Sequence, residues 1–244
     1  MNNRYVHKTG LILKPLIGNA KEILVHAEKK EKDWVEYFRK TNRSIFRVCS
    51  RNRRIIEVIL QHTPNQGKVL EAGCGTALLS FVLSDLGYFV TAMDLSEDVI
   101  KYAQSRFPIN PSFLSFKQGD IFRLASQYQK RHFDTVCHSG LMEHFDDDNI
   151  VRGLREQRIV SKKVIFSIPN KRIGNSSGCF GDERFLSNKK WKTLIVKAGF
   201  QKVHVYGDYD LKKAPYIFLP GLFFHAKYSF WWKWVSRHSI FLCE

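Results

Sequence analysis

The amino-acid sequence predicts a doubly wound α/β fold. Strand and helix patterns alternate through residues 61–210, a glycine-containing turn joins the first strand to the first helix of this region, and acidic residues follow the next two strands. Alternating strands and helices form a parallel sheet covered on both faces, with right-handed crossovers. Ligands of such sheets bind at the carboxyl ends of the strands. We therefore expect the functional residues in loops that follow strands.

Length and composition agree with a large globular domain. The chain has 244 residues, of which 44% are hydrophobic and 25% are charged. This composition excludes a mainly disordered, collagen-like or coiled-coil protein. Five scattered cysteines without metal-ligand spacing indicate a reduced, cytoplasmic protein and no zinc site. No apolar leader and no run of about 18 apolar residues is recognisable, so neither a signal peptide nor a spanning helix is expected.

Helix and strand boundaries follow from punctuation by glycine, proline and capping residues. Apolar residues recur at helical spacing through Ser44–Leu60, and a Pro-Asn-Gln-Gly turn follows. Later helices begin at capping residues such as Ser96 and end at Gly87 or Gly199. The predicted helices are Ala77–Leu86, Ser96–Arg106, Asp146–Val160 and Ser187–Ala198. The predicted strands are Lys68–Ala72, Tyr88–Met93, Phe113–Lys117, Phe133–His138, Lys163–Ile168, Gln201–Tyr206 and Ser239–Cys243.

The strongest motif is the turn Glu71-Ala72-Gly73-Cys74-Gly75-Thr76-Ala77 after the first strand. Glycine allows a sharp turn and close approach of a ligand, and a helix N-terminus adds unpaired N–H groups. Leu78 stands where a dinucleotide fingerprint has its third glycine, and the lysine of a P-loop is missing. The Glu71 carboxylate is suited to accept hydrogen bonds from the ammonium group of S-adenosylmethionine. We assign Glu71, Gly73, Cys74 and Gly75 to a cofactor site.

Two further acidic residues follow the next strands. Asp94 ends the second strand, 19 residues after Gly75, and a carboxylate there is placed to bind both ribose hydroxyls. Asp120 follows the third strand, where it either accepts a hydrogen bond from an adenine amino group or caps the next helix, and the two roles are compatible. Leu95 and Ile121 lie beside these carboxylates. We assign all four residues to the same cofactor site.

The loop after the fourth strand reads His138-Ser139-Gly140-Leu141-Met142-Glu143-His144-Phe145. Ser139 is assigned to the cofactor site. His144 is a candidate general base because imidazole titrates near neutral pH, and the alternative is that it orients the loop or binds substrate. Glu143 is the second candidate catalytic residue, and an equally good role for it is to hold the loop through backbone N–H groups.

Together these motifs resemble the class I S-adenosylmethionine-dependent methyltransferases over about residues 60–207 and the final strand. The resemblance implies a seven-stranded Rossmann-like sheet whose last strand, Ser239–Cys243, runs antiparallel. It also implies methyl transfer by in-line displacement at the sulfonium methyl carbon, without a metal ion. One departure is Ala77, where many members have a third glycine. Alanine opens a helix well, so we expect little effect.

The resemblance also narrows the methyl acceptor. The loop after the fourth strand lacks the Asn/Asp-Pro-Pro-aromatic sequence of enzymes that methylate nucleobase amines, so a nucleic-acid partner is disfavoured. A hydroxyl or amine of a small metabolite, a sugar or a lipid-linked precursor is the expected acceptor, as part of a biosynthetic reaction. The alternative is an RNA- or membrane-binding methyltransferase-like protein, with RNA methylation as the intermediate case.

Charge, motifs and composition together predict four regions along the chain. The net charge of +16 resides in residues 1–60 and 161–244, which indicates either an anionic partner or a solvated basic surface. We expect a helical N-terminal lid over 1–60, a cofactor-binding core over 61–210, an aromatic and basic insertion over 211–237, and the last core strand over 238–244. The insertion has three ranked interpretations: self-packing or pocket cover, a homodimer surface, or a peripheral membrane contact. Its aromatic and basic residues would also suit stacking on nucleic acid.

Overall fold

The computed structural model describes residues 34–40, 45–106, 110–169, 183–207 and 238–244, without the side chains of residues 45–51. The chain divides after Thr41 into two units, which are treated separately. In the first, residues 34–40 form helix α1. Its Trp34 ring stacks on Phe38, with centroids 5.4 Å apart. The predicted insertion 211–237 lies outside the described residues.

The described residues of the second unit form a seven-stranded sheet. Its strands are β1 Lys68–Ala72, β2 Phe89–Asp94, β3 Leu114–Gln118, β4 Phe133–Ser139, β5 Ser161–Pro169, β6 Val203–Gly207 and β7 His238–Cys243. The order across the sheet is β3-β2-β1-β4-β5-β7-β6. Strands β1 to β5 pair in parallel. Strand β7 runs antiparallel to both β5 and β6. The predicted seven-stranded sheet with an antiparallel last strand is confirmed.

The helices of this unit lie where the sequence predicts them, within about two residues at each end. They are α2 Ile45–His62, α3 Leu78–Asp85, α4 Glu97–Gln104, α6 Asp147–Val160 and α7 Asn188–Lys197. The Ser96 side chain caps α4 by accepting a hydrogen bond from the Val99 backbone N–H. A four-residue helix, α5 Leu124–Gln127, was not predicted, because four residues carry no apolar period.

Apolar side chains bury both faces of the sheet. Ile55, Val58 and Ile59 of α2 pack on one face, together with side chains of α3 and α4. Helices α6 and α7 cover the other face, where the Trp191 ring contacts Phe166 of β5 and Phe241 of β7. Successive residues of one strand serve opposite faces, as a pleated strand requires. Helix α2 lies within the predicted N-terminal lid segment, and its apolar side is part of the core of this unit.

None of the helices in the described part of the chain is long and apolar enough to cross a bilayer.

Candidate functional site

The turn between β1 and α3 has a backbone that favours glycine. Gly73, Gly75 and Ala77 have φ angles of 65°, 51° and 52°. The Cys74 N–H donates to the Met93 carbonyl at 2.9 Å, which holds the turn against the end of β2. Helix α3 begins at Leu78, and Ala77 precedes it in the left-handed conformation. Ala77 therefore occupies a conformation that a glycine would adopt without strain, rather than opening the helix as predicted.

Glu71 lies at the end of β1 and is buried. Its Oε2 accepts hydrogen bonds from the Ser80 backbone N–H at 2.9 Å and from the Ser80 hydroxyl. Burial raises the pKa of Glu71 to about 7, with the nearby Asp94 acting in the same direction and the Ser80 hydrogen bonds opposing it. The carboxyl group is thus poised between its neutral and charged forms near neutral pH.

Asp94 ends β2 and closes the glycine turn from the other side. Its Oδ2 accepts from the Gly75 N–H at 3.1 Å, and its Oδ1 accepts from the Ser96 N–H at 3.2 Å. Burial raises the pKa of Asp94, and these backbone N–H groups oppose the rise by stabilising the charged form. The neighbouring Leu95 side chain is 51% exposed, which leaves an apolar surface beside the carboxylate.

The end of β3 is tied to the end of β2. The Gly119 N–H donates to the Asp94 carbonyl at 2.9 Å. Asp120 Oδ1 accepts from the Phe122 N–H at 2.8 Å, so Asp120 caps the short 3-10 helix that follows. Ile121 is buried in the core. The carboxyl groups of Glu71, Asp94 and Asp120 therefore belong to residues at or just after the carboxyl ends of three adjacent strands, β1, β2 and β3.

The loop after β4 contacts the glycine turn and α2. A Cβ atom added at Gly73 would lie 2.7 Å from Leu141 Cδ1, so Leu141 lies directly against the turn. The Ser139 hydroxyl donates to Asn52 Oδ1 of α2 at 3.4 Å. Asn52 belongs to no motif, and sequence reasoning missed it. Glu143 is buried and His144 is partly exposed on the 3-10 helix Met142–His144 of the same loop.

His138, the first residue of that motif, has a structural position. It is fully buried on β4 and stacks on Phe166, with ring centroids 4.8 Å apart. Burial lowers the pKa of His138 to about 3. The ring is therefore neutral at physiological pH, and it packs in the core.

Arg184 holds the loop that carries both candidate catalytic residues. Its guanidinium donates to the Phe145 carbonyl and to Asp147 Oδ1, each at 2.7 Å, and its backbone N–H donates to the Glu143 carbonyl at 2.9 Å. Lys190 pairs with the other oxygen of Asp147.

We expect Arg184→Ala to lower the free energy of unfolding by about 1–2 kcal/mol, because two hydrogen bonds of a half-exposed guanidinium are lost. Urea unfolding measures the change. Arg155→Ala is the control, since Arg155 donates to a single backbone carbonyl on the surface. An Arg184→Ala effect no larger than the control would show that Arg184 does not hold the loop.

Within the described ranges, no group of three histidine, cysteine or acidic side chains is placed to hold a metal ion.

Comparisons with known proteins agree with this architecture. A methyltransferase domain family matches residues 69–163. A ubiquinone biosynthesis O-methyltransferase of Nitrosospira multiformis is 29% identical over 113 residues, which are 46% of this chain and 47% of that protein. The matched region thus spans less than half of that relative.

Two solved structures show the same fold at low sequence identity. A SAM-dependent methyltransferase from Archaeoglobus fulgidus has a TM-score of 0.60 and 16% identity, covering 86% of this chain and 98% of that one. Magnesium protoporphyrin IX methyltransferase from Synechocystis PCC 6803, with bound SAH, has a TM-score of 0.57 and 14% identity, covering 86% and 93%. The family match shows a methyltransferase domain over residues 69–163, and the described sheet has the fold of known S-adenosylmethionine-dependent methyltransferases.

Proposed function

We propose that this chain transfers the methyl group of S-adenosylmethionine to a hydroxyl or amine of a small metabolite, a sugar or a lipid-linked precursor. The observation that carries the proposal is the edge formed by β1, β2 and β3. There Glu71, Asp94 and Asp120 lie at or just after the carboxyl ends of adjacent strands, and the glycine turn is hydrogen-bonded to Asp94. A parallel sheet presents its ligand site at this edge.

The residues at the edge fit the cofactor chemically. Each Asp94 oxygen accepts one backbone N–H, and a carboxylate oxygen has a second lone pair for a ribose hydroxyl. Glu71 supplies an acceptor for an ammonium group, and Asp120 supplies one for an adenine amino group. Leu95 offers an exposed apolar surface beside Asp94. When bound, the cofactor supplies a methyl group on a sulfonium, whose leaving group is already good.

On the acceptor side, the protein has to align the nucleophile and remove a proton from it. We assign proton removal to His144, and we assign to Glu143 the holding of the loop. The named activities of the relatives support a small-molecule acceptor, because they are a ubiquinone O-methyltransferase and a magnesium protoporphyrin IX methyltransferase. The excess of basic residues in 161–244 favours an anionic acceptor. A homodimer or a membrane contact through 211–237 remains part of the proposal.

Calorimetric titration with S-adenosylhomocysteine tests the cofactor site. We expect micromolar-range affinity for the wild type, about −8 kcal/mol. Asp94→Asn should weaken binding at least about tenfold, because it replaces the charged carboxylate that accepts hydrogen bonds from the ribose hydroxyls by a neutral amide. Asp85→Asn, an exposed change at the end of α3, is the control and should bind as the wild type does. Absence of binding by folded wild-type protein would overturn the proposal.

A further inference from the structure

Helix α7 has one buried and one exposed face. Trp191, Leu194 and Ile195 are buried against the sheet. Opposite them lies a stripe of exposed residues at helical spacing, so that they share one face of the helix. The stripe consists of Lys189, Lys192, Thr193, Val196 and Lys197. The Val196 side chain is 59% exposed in the middle of these lysines. We call these five residues the α7 stripe.

The lysines of the α7 stripe have no acidic partner among the described residues. Within the described ranges, Lys189, Lys192 and Lys197 form no ion pair, whereas Lys190 on the flank of the helix pairs with Asp147. The first turn of α7 holds no acidic residue, although the helix dipole favours acids there and disfavours lysine. Lys189 in the first turn therefore opposes the helix dipole, whereas Lys197 in the last turn agrees with it. The stability of α7 does not explain the positive charge of its first turn.

Among the described helices, α7 has the highest net positive charge, with four lysines and no acidic residue. Helix α6, next to α7, adds Arg155, whose guanidinium donates to the Lys197 carbonyl at 3.0 Å. On the opposite side, α4 carries Glu97 and Asp98 against Lys101. Arginines of α2 also lie on that side, and two of them, Arg53 and Arg54, pair with Glu57. Within the described helices, the lysines that form no ion pair all lie on α7, so an anionic surface would be attracted to this helix.

We propose that the α7 stripe docks the protein on a lipid bilayer that carries anionic headgroups. Lysine ammonium groups gain attraction close to such a surface, and an exposed valine among them can enter the headgroup layer. A second copy of this face would repel the first, since both present lysines. The stripe displays no aromatic ring on which a nucleobase could stack, and the Arg155 guanidinium is engaged. The proposal goes beyond methyl transfer and does not depend on it.

Vesicle co-sedimentation tests the docking surface with the full chain. Vesicles of phosphatidylcholine alone are compared with vesicles that also contain phosphatidylglycerol. The test variant is Lys189→Glu/Lys192→Glu/Lys197→Glu. The control, Lys68→Glu/Lys101→Glu/Lys130→Glu, changes the net charge equally at exposed positions elsewhere. Circular dichroism and S-adenosylhomocysteine titration establish that both variants are folded, and a variant that binds this ligand as the wild type does has an intact cofactor site.

The wild type should co-sediment with the anionic vesicles and should not bind the vesicles of phosphatidylcholine alone. The α7 variant should bind the anionic vesicles about a hundredfold more weakly than the wild type, and the control variant should lose much less affinity for them. Equal losses in both variants would overturn the proposal, because general charge would then suffice. Failure of the wild type to bind anionic vesicles would also overturn it. Loss of binding to single-stranded RNA in the α7 variant, without vesicle binding by the wild type, would assign the stripe to nucleic acid instead.

Discussion

Glu71→Gln should abolish the pH dependence of S-adenosylhomocysteine binding near neutral pH. The pKa of Glu71 in the ligand-free protein is raised to about 7 by burial. The ammonium group of the ligand favours the charged carboxylate, so wild-type affinity should rise about tenfold between about pH 6 and pH 8, as the charged fraction rises. Glutamine carries no charge at either pH. Calorimetric titration across this range measures the difference, and Glu97→Gln, at an exposed site, should keep the wild-type profile.

The same carboxyl group ties protein stability to pH with a definite sign. Since the pKa of Glu71 is higher in the folded protein than its ordinary value of 4.5, the folded state keeps a proton that the unfolded state has lost. Stability from this group is fully present below about pH 4.5 and declines as pH rises to about 7, by about 3 kcal/mol. Urea unfolding of wild type and Glu71→Gln at several pH values isolates this contribution. Parallel stability profiles would contradict the assignment.

Gly73→Ala should be strongly destabilising, by about 3 kcal/mol, and should also weaken cofactor binding. Gly73 has a φ of 65°, where an L-residue pays about 1–2 kcal/mol of strain. The added Cβ would also lie 2.7 Å from Leu141 Cδ1, so the loop after β4 has to shift. Thermal or urea unfolding gives the stability change, and titration with S-adenosylhomocysteine gives the effect on the site.

Gly87→Ala separates the two contributions to the Gly73 effect. Gly87 has a φ of 88°, and no atom lies within 4 Å of a Cβ added there, so this variant reports backbone strain alone. If Gly73→Ala costs no more than Gly87→Ala, the contact with Leu141 carries no weight. A double-mutant cycle with Leu141→Ala should show the penalties to be less than additive, because truncating Leu141 removes the clash.

Much of the core is predictable from sequence because its signals are local. Strand β1 is a short segment bounded by two turns, the Pro-Asn-Gln-Gly turn before it and the glycine turn after it. Ser96 and Gly199 mark helix ends by their own conformational preferences. The antiparallel direction of β7 was predicted only from the family resemblance, since nothing in the local sequence of His238–Cys243 indicates which strands it pairs with. Asp94 was assigned to the site because it ends the second strand, at a sequence separation from the glycine turn that the fold fixes.

The contacts that sequence did not reveal depend on packing across the fold. Asn52 precedes Ser139 by 87 positions in the chain, and the two side chains are in contact only because α2 packs on the sheet. Ser80 belongs to the site through the carboxyl group of Glu71, and a serine inside a helix carries no such signal. The left-handed conformation of Ala77 could not be predicted, because alanine favours a helix and the sequence therefore indicates a helix start there. The geometry of the turn overrides that preference.

The position of β7 between β5 and β6 sets an order of events for a growing polypeptide. On the ribosome, β1 to β5 can pair with one another as soon as residue 169 has emerged. Strand β6 lies at the edge of the sheet, and the neighbour to which it hydrogen-bonds is β7, made some thirty residues later. Until residues 238–243 are synthesised, β6 has no place in the sheet and one side of β5 is open. The nascent chain therefore passes through a stage with an exposed strand edge, which is a hazard for aggregation.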